Sequence, residues 1–202
     1  YGDGGEIWDV VFGVGIETLE EKKEYWQAYE SPEISTIAGA FRCQDHKWTS
    51  FSACPLVIMY NTNVVTYREV PEGWISLLEP RWKGRVAFMD PGRSDIYSSA
   101  LAAAVYTYRG EGDYMEHLAD NLEYGSLSSL SEVNSGILDG RYSLGVTIEG
   151  AAHALRSSGA DVDYIYPKEG TTVLPEGTAI VNGCPRPEAA RRFVDFTVSK
   201  DV

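Results

Sequence analysis

The runs Leu56-Val-Ile-Met-Tyr60 and Val86-Ala-Phe-Met89 are apolar from end to end, with no alternation of polar and apolar residues. A strand written this way has no solvent face and must be covered on both sides. Further short apolar runs lie at Glu6–Phe12, Leu144–Ile148, Val162–Tyr166 and Thr178–Val181. Between them fall stretches of helical character, at about Glu17–Tyr29, Tyr97–Tyr108, Asp113–Leu122, Ser131–Asp139, Ala151–Ser157 and Ala189–Lys200. In the first of these, Leu19, Lys23, Trp26 and Tyr29 recur every three or four residues. Pro32, Pro80, Gly110, Gly140 and Pro167 punctuate the pattern. Strand and helix alternating through most of the length predict an α/β fold layered around a mainly parallel sheet.

A chain of 202 residues with 44% hydrophobic content is long enough for one or two domains with a real core. The formal net charge of −13 excludes the basic stripe that nucleic-acid binding needs. No run approaches the roughly 18 apolar residues of a membrane span. The opening Tyr-Gly-Asp-Gly-Gly has neither a basic n-region nor an apolar h-region, so a signal peptide is expected to be absent from this sequence. Cys43 and Cys54 flank two short extended runs. They either bridge, closing a loop for roughly 3 kcal/mol, or stay as buried thiols; Cys184 has no evident partner. No Cys/His spacing reads as a zinc site.

Catalytic signatures are missing. There is no G-x-S-x-G, P-loop or H-E-x-x-H, and His46, His117 and His153 accompany no evident nucleophile. Gly13-Val-Gly15 is too short for a dinucleotide fingerprint, though Gly13 lets a ligand approach the backbone. The chain is read as a binder, not an enzyme, with no cofactor and no metal.

Ligands of open α/β sheets bind beyond the carboxyl ends of strands. The first candidate is Asp90-Pro-Gly-Arg-Ser-Asp-Ile-Tyr-Ser-Ser99, which follows a strand and opens a helix. Free N–H groups and the positive end of the helix dipole suit a phosphate, phosphonate or carboxylate there. Ser94, Tyr97 and Ser98 add hydroxyls. The competing reading is ordinary capping by Ser94 or Asp95. Asp95 repels an anion, and either caps the helix or meets an ammonium group. The second candidate is Thr147 with Glu149, at the end of the run Leu144–Ile148; Glu149 accepts from a ligand or merely stabilises the first helical turn. Trp48 either stacks on a ligand or lies in the core, whereas Trp8, within an apolar run, is expected in the core. Glu169 and Thr171 are weaker candidates.

The segments Gly73-Trp-Ile-Ser-Leu-Leu-Glu-Pro-Arg-Trp-Lys-Gly-Arg-Val-Ala-Phe-Met-Asp-Pro91, Leu138-Asp-Gly-Arg-Tyr-Ser-Leu-Gly-Val-Thr-Ile-Glu149 and Tyr166-Pro-Lys-Glu-Gly-Thr171 carry a family resemblance. So do Asp9-Val-Val-Phe-Gly13, Pro55-Leu-Val-Ile-Met-Tyr-Asn-Thr62 and the closing helix. Together they resemble the extracellular solute-binding proteins of ABC transporters, in the group related to ferric-iron and phosphonate binders. The resemblance implies a type II periplasmic-binding-protein (Venus-flytrap) fold, with a complete lobe two and a partial lobe one. Residues 1–60 would be the partial lobe one ending in the hinge-crossing strand, 61–170 lobe two, and 171–202 the return strand and a helix packing on lobe one. Relatives carry several dozen residues before the strand at Asp9–Gly13 and usually a tail after the last helix, so both ends are expected to be missing here. It further implies a small-molecule ligand, an ABC-transporter permease as partner, a periplasmic or extracellular location (or a cell-surface lipoprotein), and an anion on the serine-containing turn. Ferric-binding relatives place adjacent tyrosines where this chain has Glu149-Gly-Ala-Ala-His-Ala, which counts against iron. The ligand expected is a phosphonate or sugar phosphate; the alternatives are a polyamine or other cation, and the same fold serving as the extracellular sensor domain of a receptor.

Overall fold

The computed structural model describes residues 8–108 and 113–200, apart from the side chains of Asp95, Ile96 and Leu174. The chain divides into two compact units, Tyr1–Ala53 with Leu174–Val202, and Cys54–Val173.

The second unit is built on the long strand β3, numbered in chain order and spanning Thr49–Asn61, which enters it at Cys54. Strand β5 (Leu144–Ile148) pairs with it antiparallel, Leu56 opposite Ile148, and β6 (Val162–Ile165) does the same with Ile58 opposite Ile165. The two-residue β4 (Val86–Ala87) lies parallel to β5. Leu56, Ile58 and Tyr60 face helices α2 (Asp95–Thr107) and α3 (Tyr114–Leu122). Val57 and Met59 face α4 (Leu130–Leu138) and α5 (Glu149–Ser157). The α/β layering is therefore as expected, but the direction is not: among the described ladders only β4 with β5 is parallel. An unbroken apolar run reports cover on both faces, and antiparallel strands between two helix layers satisfy it equally well.

In the first unit β1 (Val10–Gly15) and β2 (Trp26–Gln27) both pair antiparallel with β7 (Val173–Val181). Ala179 points to a core of Leu19, Trp26, Cys43 and Trp48. Its neighbour Ile180 points the other way, to Ala190 and Val194 of α6 (Pro187–Thr197). The helix expected over Glu17–Tyr29 stops early, as α1 (Ile16–Glu21) and a 3-10 turn (Lys23–Tyr25). The seven-residue spacing of Leu19 and Trp26 does bring both into one core. Trp26 arrives there as a strand residue opposite Val181, its indole N–H donating to the Leu19 carbonyl at 2.9 Å. Strand pairing has overridden helical spacing. Trp8 is 59% exposed rather than in the core. Glu6 and Ile7, the start of that expected strand, and Gly110, expected to end α2, lie outside the described residues.

The bridge between Cys43 and Cys54 does not form. Cys43 is buried, and its Sγ lies 2.9 Å from Asp45 Oδ1. Burial, then the bond to Asp45, pushes the thiol pKa up.

Gly145 of β5 lies directly against the backbone of β4. A Cβ there would sit 2.5 Å from the Ala87 carbonyl oxygen and 2.7 Å from its Cβ. Gly145→Ala is therefore expected to force β4 from β5, at a cost of about 1–3 kcal/mol, read as a lowered denaturant midpoint.

Candidate functional site

The register of the second unit gathers one end of its strands. Ile148 stands opposite Leu56, two residues from Cys54, where the chain enters the unit. Thr171 donates its hydroxyl to the Leu56 carbonyl at 2.7 Å, and Thr172 donates to the Ser99 carbonyl on α2 at 3.1 Å, just before the chain leaves at Val173. The ends of β5 and β6, the start of α5 and the first turns of α2 thus share one side of the unit.

At the start of α2, Asp90 Oδ1 accepts from the Gly92 N–H at 2.9 Å and so forms the turn that precedes the helix. Ser98 donates its hydroxyl to the Pro91 carbonyl at 2.6 Å, tying the first turn to the same loop. Ser94 occupies the N-cap position with extended backbone but makes no side-chain capping bond. Asp113 caps α3 and Ser129 caps α4, each accepting a backbone N–H. α5, preceded by Ile148, has no side-chain cap. First-turn N–H groups of a helix have no intrahelical acceptor, so α2 and α5 each begin without a side-chain cap, α5 with Glu149 in its first turn. The side chain of Asp95 lies outside the described residues.

Two expected contact residues instead support this corner from below. Tyr97 is 2% exposed, stacks edge-on against Phe88 and donates its hydroxyl to the Val146 carbonyl at 2.5 Å. That bond pins the first turn of α2 to β5. Burial raises the Tyr97 pKa, so the phenol stays a donor. Thr147 is wholly buried, with Oγ1 donating to Asn134 Oδ1 on α4 at 2.7 Å. Neither hydroxyl faces outward.

Gly13 and Trp48 belong to the first unit. Gly13 has φ +71° at an irregularity in the β1–β7 ladder, and a Cβ there would meet nothing within 4 Å. Backbone conformation, not crowding, requires glycine there. Trp48 is 5% exposed, and its indole N–H donates to Glu20 Oε1 at 3.0 Å. The same carboxylate pairs with Lys23, which reaches Asp45 at 3.1 Å. Trp48 is thus a core residue anchored by a charged network, not a platform for stacking. Glu169 takes the N–H of Trp74 on Oε2 at 3.1 Å and packs against Gly73, where a Cβ would fall 1.8 Å from that oxygen. It and Thr171 hold the connecting loop.

Sequence reasoning did not single out Tyr166. It follows β6 and donates its phenol to Glu149 Oε1 at the first turn of α5. That bond, more than burial, pushes the phenol pKa up to about 12. A phenol does therefore reach the junction where Gly150–Ala154 offers none, and it arrives from β6, on the far side of β3. The pairing of Ile148 and Ile165 with the same strand was the only signal for it, and it becomes visible only once the register is known. Among the described residues, no group of three or more His, Cys, Asp or Glu comes together to hold a metal ion.

The sequence profile of the bacterial extracellular solute-binding proteins matches residues 7–202. The chain belongs to that family. Its fold is that of the type II periplasmic binding proteins. Iron uptake protein A1 of Synechocystis sp. is 26% identical over 209 residues, covering 95% of this chain and 57% of that protein. A solved structure described as a two-component system protein that mediates signal transduction is 26% identical with a TM-score of 0.77, covering 100% of this chain and 67% of that one. The periplasmic binding protein AfuA of Actinobacillus pleuropneumoniae, solved with fructose 6-phosphate, is 23% identical with a TM-score of 0.78, covering 98% and 65%. The chain thus spans little more than half of the first of these relatives and about two thirds of the two structures.

Thr147→Val removes the donor to the half-buried Asn134 amide oxygen. It is expected to cost about 0.5–1.5 kcal/mol of stability, seen as a lower midpoint in urea unfolding.

Proposed function

We propose that this chain is the binding portion of an extracellular or periplasmic solute-binding protein that captures a small, anion-bearing solute for uptake through an ABC-transporter permease. The observation that carries the ligand class is the pair of uncapped helix ends, α2 and α5, at one side of the second unit. Charged oxygens of a phosphate or phosphonate supply the acceptors that the first-turn N–H groups lack. Ser94 adds a hydroxyl not used in capping. Asp95 and Ser98 are secondary contacts in this reading, while Tyr97 and Thr147 act through the residues they hold.

Ferric iron is the rival solute, because Iron uptake protein A1 is among the relatives. It fits this corner poorly, since the phenol that arrives is held protonated by Glu149 and hard trivalent iron favours several anionic oxygens. A second context is a receptor sensor domain, favoured by the likeness to the signal-transduction structure. Capture of an ABC permease from detergent extracts of the native membrane would support uptake; capture of a membrane histidine kinase would support the sensor.

Titration calorimetry against inorganic phosphate, a phosphonate, fructose 6-phosphate, spermidine and ferric citrate tests the solute class. Phosphate-bearing compounds are expected to bind. Ser94→Ala is expected to weaken them by about 1.5–3 kcal/mol, one to two decades in Kd. Binding of spermidine alone, or a visible charge-transfer band on ferric titration, would overturn the anion reading.

A further inference from the structure

In the first unit, the turn between β7 and α6 ties the end of β7 to the 3-10 turn Lys23–Tyr25. Asn182 donates its backbone N–H to the Tyr25 carbonyl at 2.9 Å and its side-chain amide to the Glu24 carbonyl at 2.7 Å. These bonds continue the pairing of Val181 with Trp26. Asn182 is also the one asparagine of the chain that precedes a glycine. An asparagine side chain is open to attack by the peptide nitrogen that follows it when that nitrogen is free and its residue is small. At the other asparagines the nitrogen is occupied. The Thr62 N–H donates to the Asp161 carbonyl and the Val64 N–H to the Asn61 carbonyl, which guards Asn61 and Asn63. Leu122 and Ser135 follow Asn121 and Asn134 inside α3 and α4, where each N–H serves the helix. Among the described residues the Gly183 N–H has no such acceptor. Gly183 is exposed with φ +71°, and a Cβ there would meet nothing within 4 Å, so a ring has room to close.

We propose that Asn182-Gly183 is a self-modification site of the folded chain, where deamidation releases the end of β7 from the Lys23–Tyr25 turn. The Gly183 nitrogen bonds to the Asn182 Cγ, and the bond from Cγ to Nδ2 breaks. The proton of the attacking nitrogen passes through solvent to Nδ2, which leaves as ammonia. Water then opens the cyclic imide. Opening at Cγ gives aspartate, and opening at the backbone carbonyl gives isoaspartate, with an extra carbon in the main chain. Nothing is oxidised or reduced, and water is the only co-reactant. The attacking nitrogen must lose its proton to react, so the rate rises with hydroxide concentration. Both products replace an amide donor with a carboxylate, which only accepts. The Glu24 carbonyl then loses its donor and faces a negative charge. Isoaspartate also lengthens a turn that depends on positive φ at Gly183. β2 is two residues long, so its hold on β7 leans on these flanking bonds.

The test is peptide mapping by mass spectrometry of the intact chain, held folded at mildly alkaline pH and sampled over time. Asn182 is expected to convert to aspartate and isoaspartate ahead of Asn61, Asn63, Asn121 and Asn134, and faster as pH rises. Asn182→Asp is expected to reproduce the product. Its amide hydrogen exchange should quicken over Trp26–Gln27 and at position 182, and its thermal midpoint should fall by about 2–4 °C. If Asn182 converts no faster than Asn63, or converts in urea but not in the folded chain, the site is refuted. If exchange over Trp26–Gln27 stays at the wild-type rate in both the converted protein and Asn182→Asp, the turn is not released and that part of the proposal fails.

Discussion

Burial of β3 through the second unit is the constraint on which the remainder depends. From Leu56 to Asn61 every residue of that strand is buried. Its odd and even positions face different helix layers. A central strand so placed must have both edges paired, because its N–H and C=O groups have no access to water. β5 supplies one edge and β6 the other. Once those registers are set, Glu149, Tyr166 and the first turn of α2 have nowhere to lie but around the point where β3 enters the unit. The corner is a consequence of strand register, and the loops that line it are short.

The layering was legible because cover on both faces leaves a mark in composition. Leu56–Tyr60 has no polar position to turn to water, and helices had to be on either side. Strand direction leaves no such mark. Nothing in Leu144–Ile148 distinguishes a parallel from an antiparallel neighbour, since either arrangement buries the same side chains. Helix ends were legible where a cap is local, as with Asp113 before α3. They were illegible where a distant partner decided, as when pairing with β7 turned Trp26 from helix to strand.

Chemistry at the corner was half legible for a related reason. The turn Asp90–Ser94 announces a helix start through proline, glycine and serine in sequence, and that start is where expected. Whether a hydroxyl on such a turn faces solvent or core depends on which strand lies beneath. Tyr97 and Ser98 differ by one position, yet one is pinned beneath the sheet end to Val146 and the other reaches back to Pro91. Tyr166 was missed because its partner, Glu149, is 17 residues away in sequence and two strands away in space. A single sequence carries no record of that proximity.

A net charge of −13 does not by itself argue against the proposed anion, because the relevant distances are short. At physiological ionic strength the screening length is about 8 Å, so carboxylates scattered over the surface contribute little at any one point. Some carboxylates also lie in local pairs: Asp139 with Arg141, Glu72 with Lys168, and Asp163 with Arg156. What a bound phosphate senses is the nearest few N–H groups, whose partial charge at a helix end amounts to about half an elementary charge. One carboxylate within direct reach does not average away, and Glu149 is such a group. Its bond to Tyr166 directs one lone pair to a phenol rather than to the solute.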